Sequence, residues 1–137
     1  MISAISVTKI WASAHNLLSI TIMKRIPDID PVTRRSLDLF LERIAPDYPI
    51  AEAWLYGSRA RGDARADSDA DVAVILKGPK GRSTTVSPEM AGRAYEVLLE
   101  TGISVSPLAI WIEDWRDPAG HSNPWLIQNI KRQGIAL

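Results

Sequence analysis

The chain has 137 residues, of which 46% are hydrophobic, with 16 basic and 16 acidic side chains. This length predicts one globular domain, and the zero net charge excludes a general attraction to nucleic acids or acidic membranes. The absence of cysteine excludes disulfides and thiolate metal sites. We therefore predict a cytoplasmic protein with no membrane contact and no direct nucleic-acid binding.

Residues 1–22 are moderately apolar, but Lys9 and His15 interrupt the run. This pattern is too short and too polar for a membrane span and has no clear features of a signal peptide. We interpret residues 1–22 as an N-terminal extension, either disordered or the product of a misassigned start, and residues 23–137 as the domain. An amphipathic segment that packs on the domain or on a partner is the alternative.

Hydrophobic spacing and capping residues predict the element order α-β-β-α-β-α. The first helix begins after Asp30, an N-cap followed by Pro31, and ends at Pro46. Predicted strands cover residues 50–57, 70–76 and 103–112, and predicted helices follow at 87–102 and 123–134, with a turn or loop at 77–85. The fold class is α/β, a small mixed sheet whose helices are expected to cover one side.

Capping residues, glycine and proline define the bounds of the later elements. Ser87 and Pro88 are expected to cap the second long helix, and Gly102 is expected to end it. Its inward residues are predicted to be Ala91, Ala94, Val97 and Leu98. Pro107 indicates that the third strand is an edge strand or carries a bulge. Trp54 is expected in the core, whereas Trp111, Trp115 and Trp125 suit a protein interface and the packing of the last helix equally well.

Two aspartates mark the beginning of the second strand. Asp69 and Asp71 are two residues apart, so their side chains should lie on one face. Adjacent carboxylates repel unless a cation lies between them, and Mg²⁺ commonly takes one or two carboxylates together with substrate phosphate. This spacing predicts a magnesium site.

A candidate anion site precedes these aspartates. Gly57 allows close approach of backbone amides, Ser58 adds a hydroxyl, and a short helix starting at Ser58 would favour phosphate. Arg59 and Arg61 are predicted to bind a polyphosphate, and Gly62 permits the following turn. The alternative is a surface turn of mutually paired charges, which is the better interpretation for Asp63, Arg65 and Asp67.

The stretch GSRARGDARADSDAD, residues 57–71, resembles the signature of the minimal nucleotidyltransferases of the DNA polymerase beta superfamily. That signature is Gly-Ser, ten residues, then Asp-x-Asp, and Arg59, Arg61, Gly62 and Ser68 also match common family choices. The resemblance implies a polymerase beta-like fold and transfer of a nucleoside monophosphate from a triphosphate, ATP above all, to a hydroxyl. It also implies roles for individual residues: nucleotide binding by Gly57, Ser58, Arg59, Arg61 and Ser68, and catalysis and coordination of two Mg²⁺ ions by Asp69 and Asp71.

The family members of this size that the chain resembles commonly act as antitoxins of a HEPN-domain toxin, in characterised cases by attaching AMP to a tyrosine of the toxin. The resemblance therefore implies a HEPN partner in a hetero-oligomer. The superfamily's third carboxylate is missing, since its expected positions are Ser104 or Ser106. A reduced but active site, a group donated by a partner, and nucleotide binding without turnover all remain open.

Three functions follow, in order of preference. The first is a Mg²⁺-dependent nucleotidyltransferase that modifies the toxin. The second is an antitoxin that acts by binding alone. The third is an enzyme that modifies a small hydroxylated molecule, which the small size disfavours because such relatives usually carry a further helical domain for the acceptor.

Overall fold

The computed structural model describes residues 29–81 and 83–137. The predicted N-terminal extension, residues 1–22, and the beginning of the predicted domain at residue 23 lie outside the described residues. Within the described residues, no helix is long and apolar enough to cross a membrane.

Strands and helices alternate along most of the chain. The elements are α1 (Pro31–Ile44), β1 (Ile50–Tyr56), α2 (Ser58–Arg61), β2 (Ala70–Leu76), α3 (Ser83–Thr101), β3 (Val105–Trp111), α4 (Ile112–Arg116), a 3₁₀ turn (Pro118–Gly120), α5 (Pro124–Gln133) and β4 (Ile135–Ala136). The four strands form one sheet in the order β3-β2-β1-β4. β2 runs parallel to β3, whereas β1 is antiparallel to both β2 and β4. The predicted mixed α/β sheet is confirmed.

Helices pack on both faces of the sheet. On one face, α1 and α3 cover Val72, Val74 and Leu76 of β2 with buried side chains that include Phe40 and Val97. On the opposite face, Ala73 and Ile75 of β2 pack with side chains of α4 and α5, namely Trp115, Ile127 and Ile130. The expectation that helices cover only one side was wrong. The continuous apolar run of β2 is typical of a strand buried on both faces.

Helix α3 begins at Ser83, four residues before the predicted cap at Ser87, so the predicted loop 77–85 is shorter than expected and Pro88 lies inside the helix. The Ser87 hydroxyl does not cap the helix, because it accepts a hydrogen bond of 3.0 Å from the amide of Ala109 in β3. Ala91 is exposed rather than inward, whereas Ala94 and Val97 are buried as predicted. Gly102, at φ 79°, ends the helix as predicted, with its amide bonded to the Leu98 carbonyl.

β3 is an edge strand, as Pro107 indicated. Because the amide of Ala109 points away from β2 toward Ser87, the nitrogen of Pro107, two residues earlier, is also on the outer side. The lack of an N–H at Pro107 therefore removes no hydrogen bond from the sheet.

The last helix and strand close the second face. Asn123 caps α5, and its side chain accepts from the amide of Leu126 at 3.2 Å, which confirms the predicted start. Trp115 packs against Trp54 with ring centroids 5.4 Å apart, and the ammonium of Lys131 lies 4.7 Å from the Trp115 ring. Trp115 is thus a core residue, whereas Trp125 on α5 is 65% exposed.

Candidate active site

The Gly-Ser turn lies directly against the second aspartate. Gly57 follows β1 and adopts φ 75° and ψ −156°, a conformation that favours glycine. A Cβ at this position would lie 2.5 Å from Oδ2 of Asp71, well inside van der Waals contact. The close approach therefore requires glycine for two independent reasons, backbone conformation and space.

The two aspartates differ in their surroundings. Asp71 is half-buried within β2, where it pairs with Tyr56 of β1 and with Ser106 of β3, whereas Asp69 is exposed just before the strand. Burial, and then the charge of Asp69, raises the pKa of the Asp71 carboxyl, and Arg61 opposes this rise. Asp69 and Asp71 are close neighbours at the beginning of β2, and the negative charge of Asp69 contributes to this rise.

Tyr56 is a member of the site that sequence reasoning missed. It lies opposite Asp71 in the antiparallel register, so both side chains are on the face covered by α4 and α5. Burial and the nearby Asp71 raise the pKa of the Tyr56 phenol to about 12. Only the cross-strand register brings these two residues together, and no local sequence signal encodes that register.

The strand register separates the two candidate positions for the missing carboxylate. Ser106 is the register partner of Asp71 on the adjacent parallel strand. Ser104 instead precedes β3, and its carbonyl accepts the amide of Ala70 at 2.8 Å. The residue beside Asp71 on β3 is therefore a serine, which is a weak base at neutral pH.

The described residues suit a magnesium ion through a pair of carboxylates rather than a complete protein cage. Among residues 29–81 and 83–137, no group of three or more His, Cys, Asp or Glu side chains is placed to hold a metal. Asp69 and Asp71 supply the one or two carboxylates that Mg²⁺ usually takes, with water and substrate phosphate as its other ligands. A half-buried Asp71, whose pKa is raised by burial and by the charge of Asp69, is an environment that a divalent cation would stabilise.

A one-turn helix follows Gly57, as the phosphate-site hypothesis required. Helix α2 begins at Ser58, and the amides of Ala60 and Arg61 both bond to the Gly57 carbonyl at 3.1 Å. Gly62 ends the helix at φ 83°, in the left-handed conformation expected for the predicted turn. The amides of Ser58 and Arg59 are the first of the helix, and the first N–H groups of any helix have no carbonyl partner within it. Such amides suit an anion.

The two arginines of the motif occupy different environments. Only 8% of the Arg59 side-chain surface is exposed, and its guanidinium donates to the Ser68 carbonyl at 2.9 Å and to Thr33 Oγ1 at 3.0 Å. These contacts engage the guanidinium with the protein itself, and the predicted binding of phosphate by Arg59 stays a prediction. Arg61 is 47% exposed, contacts Asp63 at 3.3 Å, and is the cation that acts on Asp71.

The remaining charged residues of the motif follow the predicted surface-turn pattern in part. Asp63 pairs with Arg61, and Asp67 is exposed. The Ser68 hydroxyl accepts the amide of Arg65 at 2.9 Å, which closes a tight turn before Asp69. This places Ser68 beside the aspartates, with its hydroxyl engaged in the loop itself, so its predicted contact with nucleotide stays a prediction.

A comparison with known protein families gives a match over the centre of the chain. The family model for the nucleotidyltransferase domain matches residues 37–116, more than half of the chain. No curated protein matches the sequence. Among solved structures, a crystal structure of a candidate nucleotidyltransferase from Sulfolobus solfataricus is similar, with 20% identity, a TM-score of 0.44, and coverage of 77% of this chain and 81% of that chain. The family match spans the Gly57–Asp71 motif and all three long strands, and the chain belongs to the nucleotidyltransferase domain family.

Proposed function

We propose that this protein transfers AMP from ATP to a hydroxyl group of a partner protein, a HEPN-domain toxin, and thereby acts as its antitoxin. The observation that carries the proposal is the contact of Gly57 with Asp71, which joins the Gly-Ser turn to the paired carboxylates. A triphosphate bound at the turn would have its phosphates beside Asp69 and Asp71, the geometry that nucleotidyl transfer requires.

The roles of individual residues follow from their positions. The amides of Ser58 and Arg59 and the Ser58 hydroxyl would bind the triphosphate, and the exposed Arg61 would add positive charge. Asp69 and Asp71 would hold Mg²⁺, which supplies charge neutralisation for the phosphates and activation of the attacking oxygen. Together, these residues would orient the triphosphate for attack by the acceptor hydroxyl.

The reaction balances without a redox partner. The acceptor oxygen forms a bond to the α-phosphorus of ATP, the bond between that phosphorus and the bridging oxygen to the β-phosphate breaks, and pyrophosphate leaves. The hydroxyl proton passes to solvent, because Ser106, the strand neighbour of Asp71, is a weak base. We therefore expect slow transfer that depends strongly on the orientation of the acceptor by its own protein.

Exposed apolar side chains support a protein acceptor. Tyr95 and Leu99, four residues apart on α3, are 59% and 70% exposed. Side chains at this spacing lie on the same face of a helix, and contiguous exposed apolar surface is typical of protein contacts. Trp125, 65% exposed, is a third exposed apolar side chain and lies on α5, on the opposite face of the sheet.

A second function, neutralisation of the toxin by binding alone, is favoured by one observation. The strand neighbour of Asp71 is Ser106 rather than a carboxylate, so two acids rather than three are available for metal ions there among the residues that the structure describes. In that case nucleotide and metal would bind without turnover.

Labelled ATP distinguishes these functions. The protein is incubated with its partner, Mg²⁺ and ATP labelled either in the α- or in the γ-phosphate. Nucleotidyl transfer predicts that the partner retains the α label and loses the γ label as pyrophosphate. Retention of neither label by a stably bound partner would contradict transfer and favour binding alone, and retention of the γ label would indicate a kinase instead.

A further inference from the structure

The Arg59 guanidinium lies where three segments of the chain meet. Besides the bonds to Ser68 and Thr33, Nη2 donates to the carbonyl of Ala66 at 3.2 Å, and Nη1 lies 3.8 Å from Oδ2 of Asp30. One side chain thus joins α2, the beginning of α1 and the loop of residues 62–69 that leads to β2. Thr33 is fully buried, so the anchor on α1 is a fixed part of the core.

The contacts of Arg59 bear directly on Asp69. The carbonyl of Ser68, the residue before Asp69, accepts a hydrogen bond from Arg59. The amide of Ala70, the residue after Asp69, donates to the Ser104 carbonyl at 2.8 Å. The backbone of Asp69 is therefore held on both sides. Its side chain is exposed and gains little orientation from packing. The direction of the Asp69 carboxylate consequently depends on these backbone contacts.

We propose that Arg59 is a positioning residue: it fixes the 62–69 loop against α1 so that the Asp69 carboxylate faces Asp71, while Arg61 is the arginine that meets the triphosphate. This inference rests on the proposed function for the identity of the ligands. It gives the two arginines of the motif separate tasks, although the sequence presents them as equivalent and two residues apart.

The geometry of the guanidinium explains why a lysine would not replace it. Arginine presents several donors in a planar fork, and here the fork serves two carbonyl oxygens and one hydroxyl at once. A lysine keeps the charge but is a single point donor. If the function of Arg59 were to attract phosphate by its charge, lysine would largely preserve it.

The test uses the whole protein with Arg59→Lys, Arg59→Met and, as a matched control, Arg61→Gln. Three quantities are measured: amide hydrogen exchange in residues 63–70, affinity for Mn²⁺ alone, and the ratio of affinities for ATP and AMP without metal. Arg59→Lys keeps the charge beside Asp30, so the fold should be retained, and a thermal unfolding curve checks this.

Both Arg59 variants are expected to exchange faster in residues 63–70 and to bind Mn²⁺ about 10-fold more weakly, with the ATP/AMP ratio unchanged. Arg61→Gln should lower that ratio and leave exchange unchanged. An Arg59→Lys variant with wild-type exchange and Mn²⁺ affinity would overturn the inference, as would an Arg59→Met variant that lowers only the ATP/AMP ratio.

None of these readouts requires turnover. A wild-type protein that binds Mn²⁺ and ATP but transfers nothing would contradict the proposed transfer while leaving the role of Arg59 to be decided by the variants. A wild-type protein that binds no Mn²⁺ would overturn both.

Discussion

A Cβ on Gly57 would lie 2.5 Å from Oδ2 of Asp71, so the turn that follows β1 and the carboxylate on β2 fit together only when residue 57 is glycine. This contact connects the two halves of the motif, which are separated by the ten residues 59–68. The same register that pairs Tyr56 with Asp71 produces it. The geometry of the site therefore depends on this contact and on the elements that hold it.

Substitution of Gly57 by alanine should reduce both stability and metal binding. The positive φ costs about 1–3 kcal/mol for a residue with a Cβ, and the clash displaces the Asp71 carboxylate. Gly62→Ala is the matched control, because Gly62 has φ 83° but no atom within 4 Å of the point that a Cβ would occupy. Urea unfolding and Mn²⁺ titration should show that both variants lose stability and that only Gly57→Ala loses metal affinity. Equal loss of metal affinity in both would contradict the account.

Replacement of Asp71 by asparagine should separate stability from activity. The pKa of Asp71 is raised mainly by burial, so its ionised carboxylate destabilises the metal-free fold at neutral pH. We expect Asp71→Asn to raise the unfolding midpoint without metal and to lower transfer by more than about 100-fold. Thermal unfolding with and without Mg²⁺ tests this, with exposed Asp67→Asn as the control. A lower midpoint for Asp71→Asn would show that the carboxylate is stabilising instead.

A third carboxylate introduced beside Asp71 should strengthen the site. Ser106 is the register partner of Asp71, so Ser106→Asp places an acid next to the existing pair, whereas Ser104→Asp places one before the strand. If the missing base limits transfer, Ser106→Asp should increase the rate, within the roughly 10²–10⁴-fold that general bases contribute, and should tighten Mn²⁺ binding. Ser104→Asp should do neither. A larger gain from Ser104→Asp would assign the missing position to Ser104.

The N-cap of α1 should give a defined pH dependence. Hydrogen bonds from the Thr33 side chain and amide lower the pKa of Asp30 below its usual 3.8. A depressed pKa means that the stabilisation is present above the unfolded value and is lost as the pH falls through the folded one. Asp30→Ala should cost about 1 kcal/mol at neutral pH and much less near pH 2, as measured by urea unfolding. Asp67→Ala, on an exposed loop, should show no such difference.

The sequence predicted the three long strands well, and it placed Asp69 and Asp71 at the beginning of β2, because these signals are local. The apolar run of residues 70–76 and the spacing of Asp69 and Asp71 need no knowledge of distant residues. Helix α3 was mispredicted at its start because Ser87 and Pro88 resemble a cap, whereas the Ser87 hydroxyl bonds to Ala109, 22 residues away. The second helical face was missed although its signal was local, since the continuous apolar run of β2 is typical of a strand buried on both faces.

Arg59 shows the same limit of prediction from local sequence within the motif. In the sequence it is one of two arginines beside a phosphate-binding turn, and residue type alone favours an anion ligand. Its partner Thr33 is 26 residues earlier, and only the folded chain brings the two together. Tyr56 and Ser106 likewise become neighbours of Asp71 through strand register alone.

The most direct test of the proposed function is the intact mass of the HEPN-type partner after incubation with this protein, ATP and Mg²⁺. The account predicts that the partner gains the mass of one or more AMP groups with the wild-type protein and gains none with Asp71→Asn. A stable complex whose partner keeps its original mass with the wild-type protein would contradict transfer and leave neutralisation by binding.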